Sequence, residues 1–207
     1  MAHQSEEIYY LPMSLARHNS KEVACLIYES VPELFALMFG SYAIACLTDL
    51  VRRSHNRFSH QYIRIAEIDR RAVGIVIFVP AACVTAADDY GEILNFSQKL
   101  WLKLVQHLLL QHVLQQDYPV GSFYVSNLAV SARYRNQGIG RQLLSQCIAE
   151  AEIALSPIFI SVDVSNVRAQ KLYKSLGFQV VAMKTIHLFG TTFGSIILSL
   201  SIPDHSP

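Results

Sequence analysis

The chain has 207 residues, is 52% hydrophobic and 16% charged, and carries a formal net charge of +1. That composition suits one domain with a sizeable core, excludes a disordered chain, and gives no electrostatic footprint for nucleic acid or an anionic membrane. Its four cysteines, Cys25, Cys46, Cys83 and Cys147, are scattered without a C-x-x-C pair, so reduced thiols in a cytoplasmic protein are expected rather than a zinc site or a disulfide framework.

The first ten residues carry acids where a secretory leader has a basic region and an apolar run, so no leader is expected. Glu22 to Phe39 has apolar residues at helical spacing (Val23, Leu26, Ile27, then Leu34, Leu37, Met38), and Pro32 divides it into two short helices. Ser41 to Arg53 repeats the period, so the first third reads as a group of helices. Tyr62 to Val79 alternates, turns at Asp69-Arg70-Arg71 and continues as a β-branched run, which predicts a hairpin. The longest uncharged run, Ala72 to Ala87, is shorter than the about 20 apolar residues of a membrane span, so no membrane role is expected. Ile93 to Gln115 is helical again, with Leu94, Leu100, Trp101, Leu104, Leu108 and Val113 on a broad apolar face.

Downstream come a strand at Ser122–Val130, a helix at Ile139–Leu155, a β-rich run at Pro157–Val164 and a short helix at Val167–Leu176. The helix from Ile139 turns Ile139, Leu143, Leu144, Ile148, Ala151 and Leu155 inward. The short one is closed by Gly177. Two final strands, Phe178–His187 and Thr191–Ile202, meet near Gly190. The whole reads as one domain, 1–207, with a helical insertion at about 88–118.

The chemistry concentrates in Arg135-Asn136-Gln137-Gly138-Ile139-Gly140, a glycine loop between a strand and a helix. The unpaired N–H groups of a helix's first turn, at the positive end of its dipole, form an anion site. Arg135 and Arg141 stand ready to add charge-assisted bonds, so the loop reads as a diphosphate cradle. Three owners compete. A Walker loop fails, because Arg141 and Gln142 stand where Lys and Ser/Thr are needed. A dinucleotide fold wants a small third residue where Leu143 stands. It also wants further parallel strand–helix units where the remaining chain offers one short helix and a strand pair.

Coenzyme A is the third owner. Asn127-Leu128-Ala129-Val130 followed by Tyr134-Arg135-Asn136-Gln137-Gly138-Ile139-Gly140 resembles the acetyl-CoA motif of the GNAT N-acetyltransferase superfamily. Asn166, Ala169, Leu172-Tyr173 and Leu176-Gly177-Phe178 resemble its second motif, in the same order and spacing. The resemblance is close over Ser122–Val181 and loose over Tyr62–Pro80. It implies an α/β fold: a mixed, mostly antiparallel sheet of about seven strands with helices on both faces, and one parallel pair where a helix crosses over.

It also implies roles. The backbones of Leu128, Ala129 and Val130 would bond the pantetheine arm of acetyl-CoA. The amides of Arg135, Asn136, Gln137, Gly138, Ile139, Gly140 and Arg141 would hold its pyrophosphate, and Asn166 would touch it beyond the second splayed strand. Tyr173 would protonate the departing thiolate. Glutamates that serve some members as general base are replaced here by Tyr124 and Ser161, which leaves Asp163, on the strand face of Ser161, and Glu67 as candidates.

The expected activity is transfer of an acetyl group from acetyl-CoA to a primary amine of a small molecule or peptide. A non-catalytic acyl-CoA-binding or sensing module is the rival, motivated by the missing glutamates. No metal is expected: His107 and His112 miss the i, i+4 spacing of a helical ligand pair, and Asp88, Asp89 and Glu92 read as an acidic first turn. Arg52, Arg53 and Arg57 read as a solvated basic face. The acceptor site falls to the N-terminal helices and the insertion, whose apolar face suits a substrate cleft or a homodimer contact.

Overall fold

The computed structural model describes residues 7–84, 99–101, 103, 118–188 and 191–202. Strand β1 (Tyr9–Pro12) leads into helices α1 (Ser20–Ser30), α2 (Pro32–Phe39) and α3 (Ala43–Arg52). The hairpin β2 (Ile63–Ile68) and β3 (Arg71–Pro80) follows, with a single turn, α4 (Ala81–Val84), at its exit. Beyond the insertion come β4 (Phe123–Val130), α5 (Ile139–Ile153), β5 (Ile158–Asp163), α6 (Val167–Lys174), β6 (Gln179–Leu188) and β7 (Thr191–Leu200).

Local chemistry sets these boundaries. Asn19 caps α1, its side-chain oxygen accepting from the N–H groups of Lys21 and Glu22. Pro32 opens α2 at the position where its missing N–H has no helical partner to lose. The β2–β3 turn is only Asp69-Arg70, both at positive φ (48° and 63°), the type I′ geometry that matches strand twist. At the end of α6, Phe178 N–H bonds Tyr173 C=O and Gly177 N–H bonds Lys174 C=O. This Schellman closure holds Gly177 at φ 91° and brings the rings of Tyr173 and Phe178 to 6.1 Å.

The sheet has seven strands in the order β1-β2-β3-β4-β5-β7-β6. β4 and β5 run parallel, joined by α5, and every other pairing is antiparallel. One face carries α1, α2 and α3 over Ile63, Ile65, Ile75, Ile77 and Val79. The other carries α5 and α6, with Leu143, Leu144, Cys147 and Tyr173 against Val76, Phe78, Ile158 and Ile160. Burial of each such large apolar side chain is worth about 1.5–3 kcal/mol, so the two cores outweigh any single surface contact. This is the α/β architecture expected, helices on both faces included.

Four details differ. β1, inside the stretch read as all helical, is an edge strand too short and too proline-bounded to signal itself by alternation. On α2 the buried face is Phe35, Met38 and Phe39, while Leu37 points outward, because Pro32 restarts the helical phase. Leu155 lies beyond the end of α5 at φ 49° and is 63% exposed, not inward. Pro32–Arg52 is long and apolar enough to count as a span by composition, but it is two helices and a 3-10 turn built on the first core. The helix read at Ile93–Gln115 lies outside the described residues except Lys99, Leu100, Trp101 and Lys103, which are helical. Trp101 Nε1–H donates to Leu37 C=O (2.8 Å), which ties the insertion to α2.

Candidate active site

The centre of the sheet contains a gap. β4 and β5 pair only over Phe123–Ile158, Tyr124–Phe159 and Val125–Ile160. Opposite, the β3–β4 register passes from Phe78↔Val125 to Ile77↔Asn127, leaving Ser126 as an extra residue. Such a bulge bends its strand and resets which face each side chain takes. From Ser126 onward, one edge of β4 therefore faces no strand among the described residues. Leu128, Ala129 and Val130 lie along that edge, and backbone groups there could meet an extended, amide-bearing ligand.

At the end of the gap the chain turns through Ala132–Tyr134 into the glycine loop. Asn136 (φ 66°) and Gly138 (φ 80°) both take left-handed backbone. Gly138 is the N-cap of α5 and offers no side chain, so the first-turn N–H groups of α5 keep no side-chain cap. Ile139, 1% exposed, anchors the loop in the core while Arg135, Asn136, Gln137 and Gly138 are exposed. A Cβ on Gly140 would meet Leu128, Val130 and Leu172 no closer than 3.8 Å, so packing within the chain does not demand glycine there. An added carbon there would point between Leu128 and Val130 of β4 and Leu172 of α6. Open amides at a helix dipole and a bare strand edge fit a pantetheine arm ending in a diphosphate.

The two arginines behave differently from a simple pair of phosphate clamps. Arg135 Nε donates back to Val130 C=O (2.9 Å), with Glu29 at 3.9 Å, and Arg141 donates to Ser175 Oγ. Arg168 donates to Asn136 Oδ1 (2.8 Å), which ties α6 to the loop. Asn166 caps α6 by accepting from Ala169 N–H (3.0 Å) and is exposed beside the gap.

Tyr173 projects from α6 into the core, 6% exposed. Burial raises its phenol well above the ordinary tyrosine range, and the nearby Tyr124 adds to that. Tyr124, on β4, is raised by burial, an effect opposed by the Arg57 guanidinium and by its hydrogen bond with Tyr118. The Tyr118 and Tyr124 rings stack at 4.6 Å, and Tyr118 also meets Phe159 of β5 at 5.4 Å. Tyr118 and Arg57 carried no local signal: one ends the insertion and the other follows α3, and only the fold brings them to β4. The solvated-face reading fails at Arg57, whose Nε is buried.

On the same face of the sheet, Asn127 donates to Ser30 Oγ (2.7 Å) and accepts from Ser126 Oγ (3.0 Å). Ser30 in turn donates to Ile27 C=O, so the α1–α2 junction is pinned against β4 where the gap begins. Asp163 stands at the exposed end of β5, on the face expected, and its Oδ1 accepts from Ser165 N–H (2.7 Å) and Ser165 Oγ. Glu67 is remote from the gap's apex. It is buried, bonded by Arg17 and by His18 Nε2 (3.0 Å), and the Arg17 contact chiefly holds its carboxyl below the usual range. Both its oxygens already accept hydrogen bonds, so its candidacy as a base gives way to a structural role. Among the described residues no group of three or more His, Cys, Asp or Glu is placed to hold a metal.

Comparison with known proteins agrees with this geometry. Residues 59–180 match the model of the acetyltransferase (GNAT) domain. Ribosomal protein bS18-alanine N-acetyltransferase of Escherichia coli strain K12 is 33% identical over 123 residues, 57% of this chain and 78% of that enzyme. N-alpha-acetyltransferase 30 of Xenopus laevis is 38% identical over 56 residues, 27% of this chain and 20% of that protein. Among solved structures, an N-acetyltransferase from Staphylococcus aureus Mu50 aligns over 93% of this chain and 100% of its own, with TM-score 0.69 and 17% identity. A GNAT family acetyltransferase from Elizabethkingia anophelis, with acetyl-CoA bound, aligns over 96% and 99%, with TM-score 0.53 and 16% identity. Domain match, relatives and shared fold converge: the chain belongs to the GNAT family of acetyl-CoA-dependent N-acetyltransferases.

Proposed function

We propose that this enzyme acetylates the α-amine at the start of a polypeptide. The observation that carries the reading is its likeness to enzymes named for acetylating an alanine of a ribosomal protein and for N-alpha-acetylation. The chemistry of the gap supports it. An attacking amine must be neutral, and an α-amine titrates at about 7.7–8.0 where a lysine titrates at about 10.4. A site with Tyr124 and Ser161 in place of glutamates suits the amine that needs less help losing its proton.

Acetyl-CoA supplies the acetyl thioester and a thiol leaving group. Backbone groups of Leu128, Ala129 and Val130 hold the arm along the bare edge of β4. The N–H groups of the loop and the first turn of α5, Arg135 to Arg141, hold the diphosphate, and Asn166 faces it from the start of α6. A backbone N–H on the free edge of β4 stabilises negative charge developing on the carbonyl oxygen. Tyr173 keeps its proton at neutral pH because burial disfavours the phenolate, and it delivers that proton to the departing sulfur. Asp163 is the carboxylate on the opposite wall and the candidate base, with Ser165 competing for one of its oxygens. Four cysteines without disulfides fit a reducing compartment, so we place the enzyme in the cytoplasm.

The test is acetyl-CoA-dependent thiol release with three sets of acceptor: peptides with a free N-terminus, N-terminally blocked peptides with a free lysine, and small polyamines. Turnover confined to the first set is expected. Preference for either other set overturns the α-amine reading, and coenzyme binding with no turnover on any set moves the protein to a sensing role.

A further inference from the structure

We infer that Arg57 reads a carboxylate on the acceptor, close to the amine that is acetylated. This rests on the proposed polypeptide acceptor and narrows it to chains whose first residues are acidic. Arg57 lies in the loop between α3 and β2. β2 begins at Ile63, which pairs with Ile77, and Ile77 pairs with Asn127. The loop therefore sits at the end of the sheet where β4 begins and the gap has its apex, opposite the end that carries Arg135–Gly140. That is the side left for the acceptor once the coenzyme occupies the gap.

The loop is built rather than loose. Asn56 donates to Leu50 C=O (3.0 Å) and accepts from Phe58 N–H (2.8 Å), Ser59 N–H bonds Asn56 C=O, and Asn56, Phe58 and Ser59 are all buried. The guanidinium of Arg57 lies over the Phe58 ring, 4.8 Å from its centre. It is near enough to Tyr118 and Tyr124 to oppose the rise that burial imposes on both phenols. Among the described residues no carboxylate pairs with it, and its buried Nε has no hydrogen-bond partner.

A buried, unpaired guanidinium N–H costs about 1–3 kcal/mol, a cost that a ligand accepting from it removes. Nε and an adjacent Nη form the fork that takes a carboxylate through two parallel bonds. One guanidinium supplies one positive charge, which balances a carboxylate and leaves the about −2 of a phosphate monoester half compensated. Tyr118 and Tyr124, hydrogen-bonded to each other and both protonated at neutral pH, stand nearby without adding negative charge.

The experiment compares kcat/KM for matched peptides that differ only in Glu or Gln at the second residue, alongside free glutamate and glutamine, in the wild type and in Arg57→Gln and Arg57→Lys. The wild type should prefer the Glu peptide by at least about tenfold, the scale of one charge-assisted contact. Arg57→Gln should bring that ratio close to one while the KM for acetyl-CoA holds. Arg57→Lys should recover only part of it, since a point charge lacks the fork. A wild-type ratio near one, or an unchanged ratio in Arg57→Gln, overturns the inference while leaving the α-amine reading intact. Acetylation of free glutamate and not of peptides, lost in Arg57→Gln, keeps the carboxylate contact and overturns the polypeptide acceptor. Should Arg57→Gln fail to fold, inhibition of the wild type by N-blocked Glu and Gln peptides decides: equal inhibition by the two overturns the inference.

Discussion

The two ends of the central gap are built by different means. The coenzyme end is made from one continuous stretch, β4 through α6, and most of what it offers a ligand is backbone: a bare strand edge, a left-handed glycine and uncapped amides. The end proposed for the acceptor is assembled from side chains far apart in the chain: Ser30, Arg57, Tyr118, Tyr124 and Asn127. Backbone recognition needs a particular conformation and tolerates most side chains. Side-chain recognition needs particular residues and leaves their loops free to vary. The first end is therefore insensitive to most side-chain changes, and the second is not.

This contrast can be broken by substitution. The largest effect is expected where the two ends meet. Tyr173→Phe should lower kcat by about 10²- to 10⁴-fold, the range of a positioned general acid, with the KM for acetyl-CoA nearly unchanged. Single-turnover thiol release measures it, and a rate within a few-fold of wild type would remove Tyr173 from the reaction. Its raised phenol pKa has a second consequence: the Tyr173 proton is lost only above the ordinary tyrosine value of about 10, so the wild-type kcat–pH profile should show no tyrosine limb below that pH.

The glycines come next, because they separate conformation from space. Gly138→Ala forces a side chain into left-handed backbone at a cost of about 1–2 kcal/mol, so both the melting temperature and acetyl-CoA affinity should fall. Gly140→Ala meets only ordinary contacts in the folded chain, so it should melt like wild type and raise the KM for acetyl-CoA by placing a methyl group beside the bare edge of β4. Equal effects of the two on melting would contradict the division.

Glu67→Gln addresses stability away from the gap. It should cost about 2 kcal/mol, as for a hydrogen bond to a charged group, with the catalytic constants little changed. The carboxyl is held below its unfolded pKa, so this stabilisation is complete above the unfolded value and is lost as pH falls through the folded one. Urea unfolding of the variant should show a flatter acid limb than wild type. The smallest effect is expected at Asp163→Asn. With an α-amine already part neutral near pH 8, it should lower kcat/KM by less than about tenfold at that pH and more at pH 6.5. A pH-independent loss would assign Asp163 to its turn with Ser165 alone.

The same division explains what was legible beforehand. The cofactor end could be read because its elements are contiguous. Strand alternation, Gly138, the helix beginning at Ile139, and Tyr173 four residues before Gly177 all lie within one segment. Gly177 was readable as a helix stop for the same reason. β1 was not, since a four-residue edge strand has too few alternations to differ from a loop. Arg57 looked like solvent because Arg52 and Arg53, close by in sequence, are charged; the burial of its Nε comes with Asn56 and Phe58 folding the loop inward, a tertiary effect. Leu155 kept the helical period after the helix had ended, so periodicity alone carried it inside.

The unzipped half of β4 has a consequence outside catalysis. A sheet with an unfinished seam is most stable when something finishes it, and here that something is the metabolite the enzyme consumes. Acetyl-CoA at 100 times its dissociation constant would add about 2.7 kcal/mol to the folded state. Set against a total stability of about 5–15 kcal/mol, that is enough to change how often the chain opens to a protease. The working lifetime of the enzyme in a cell is then coupled to the supply of its own acetyl donor, with no regulatory site needed.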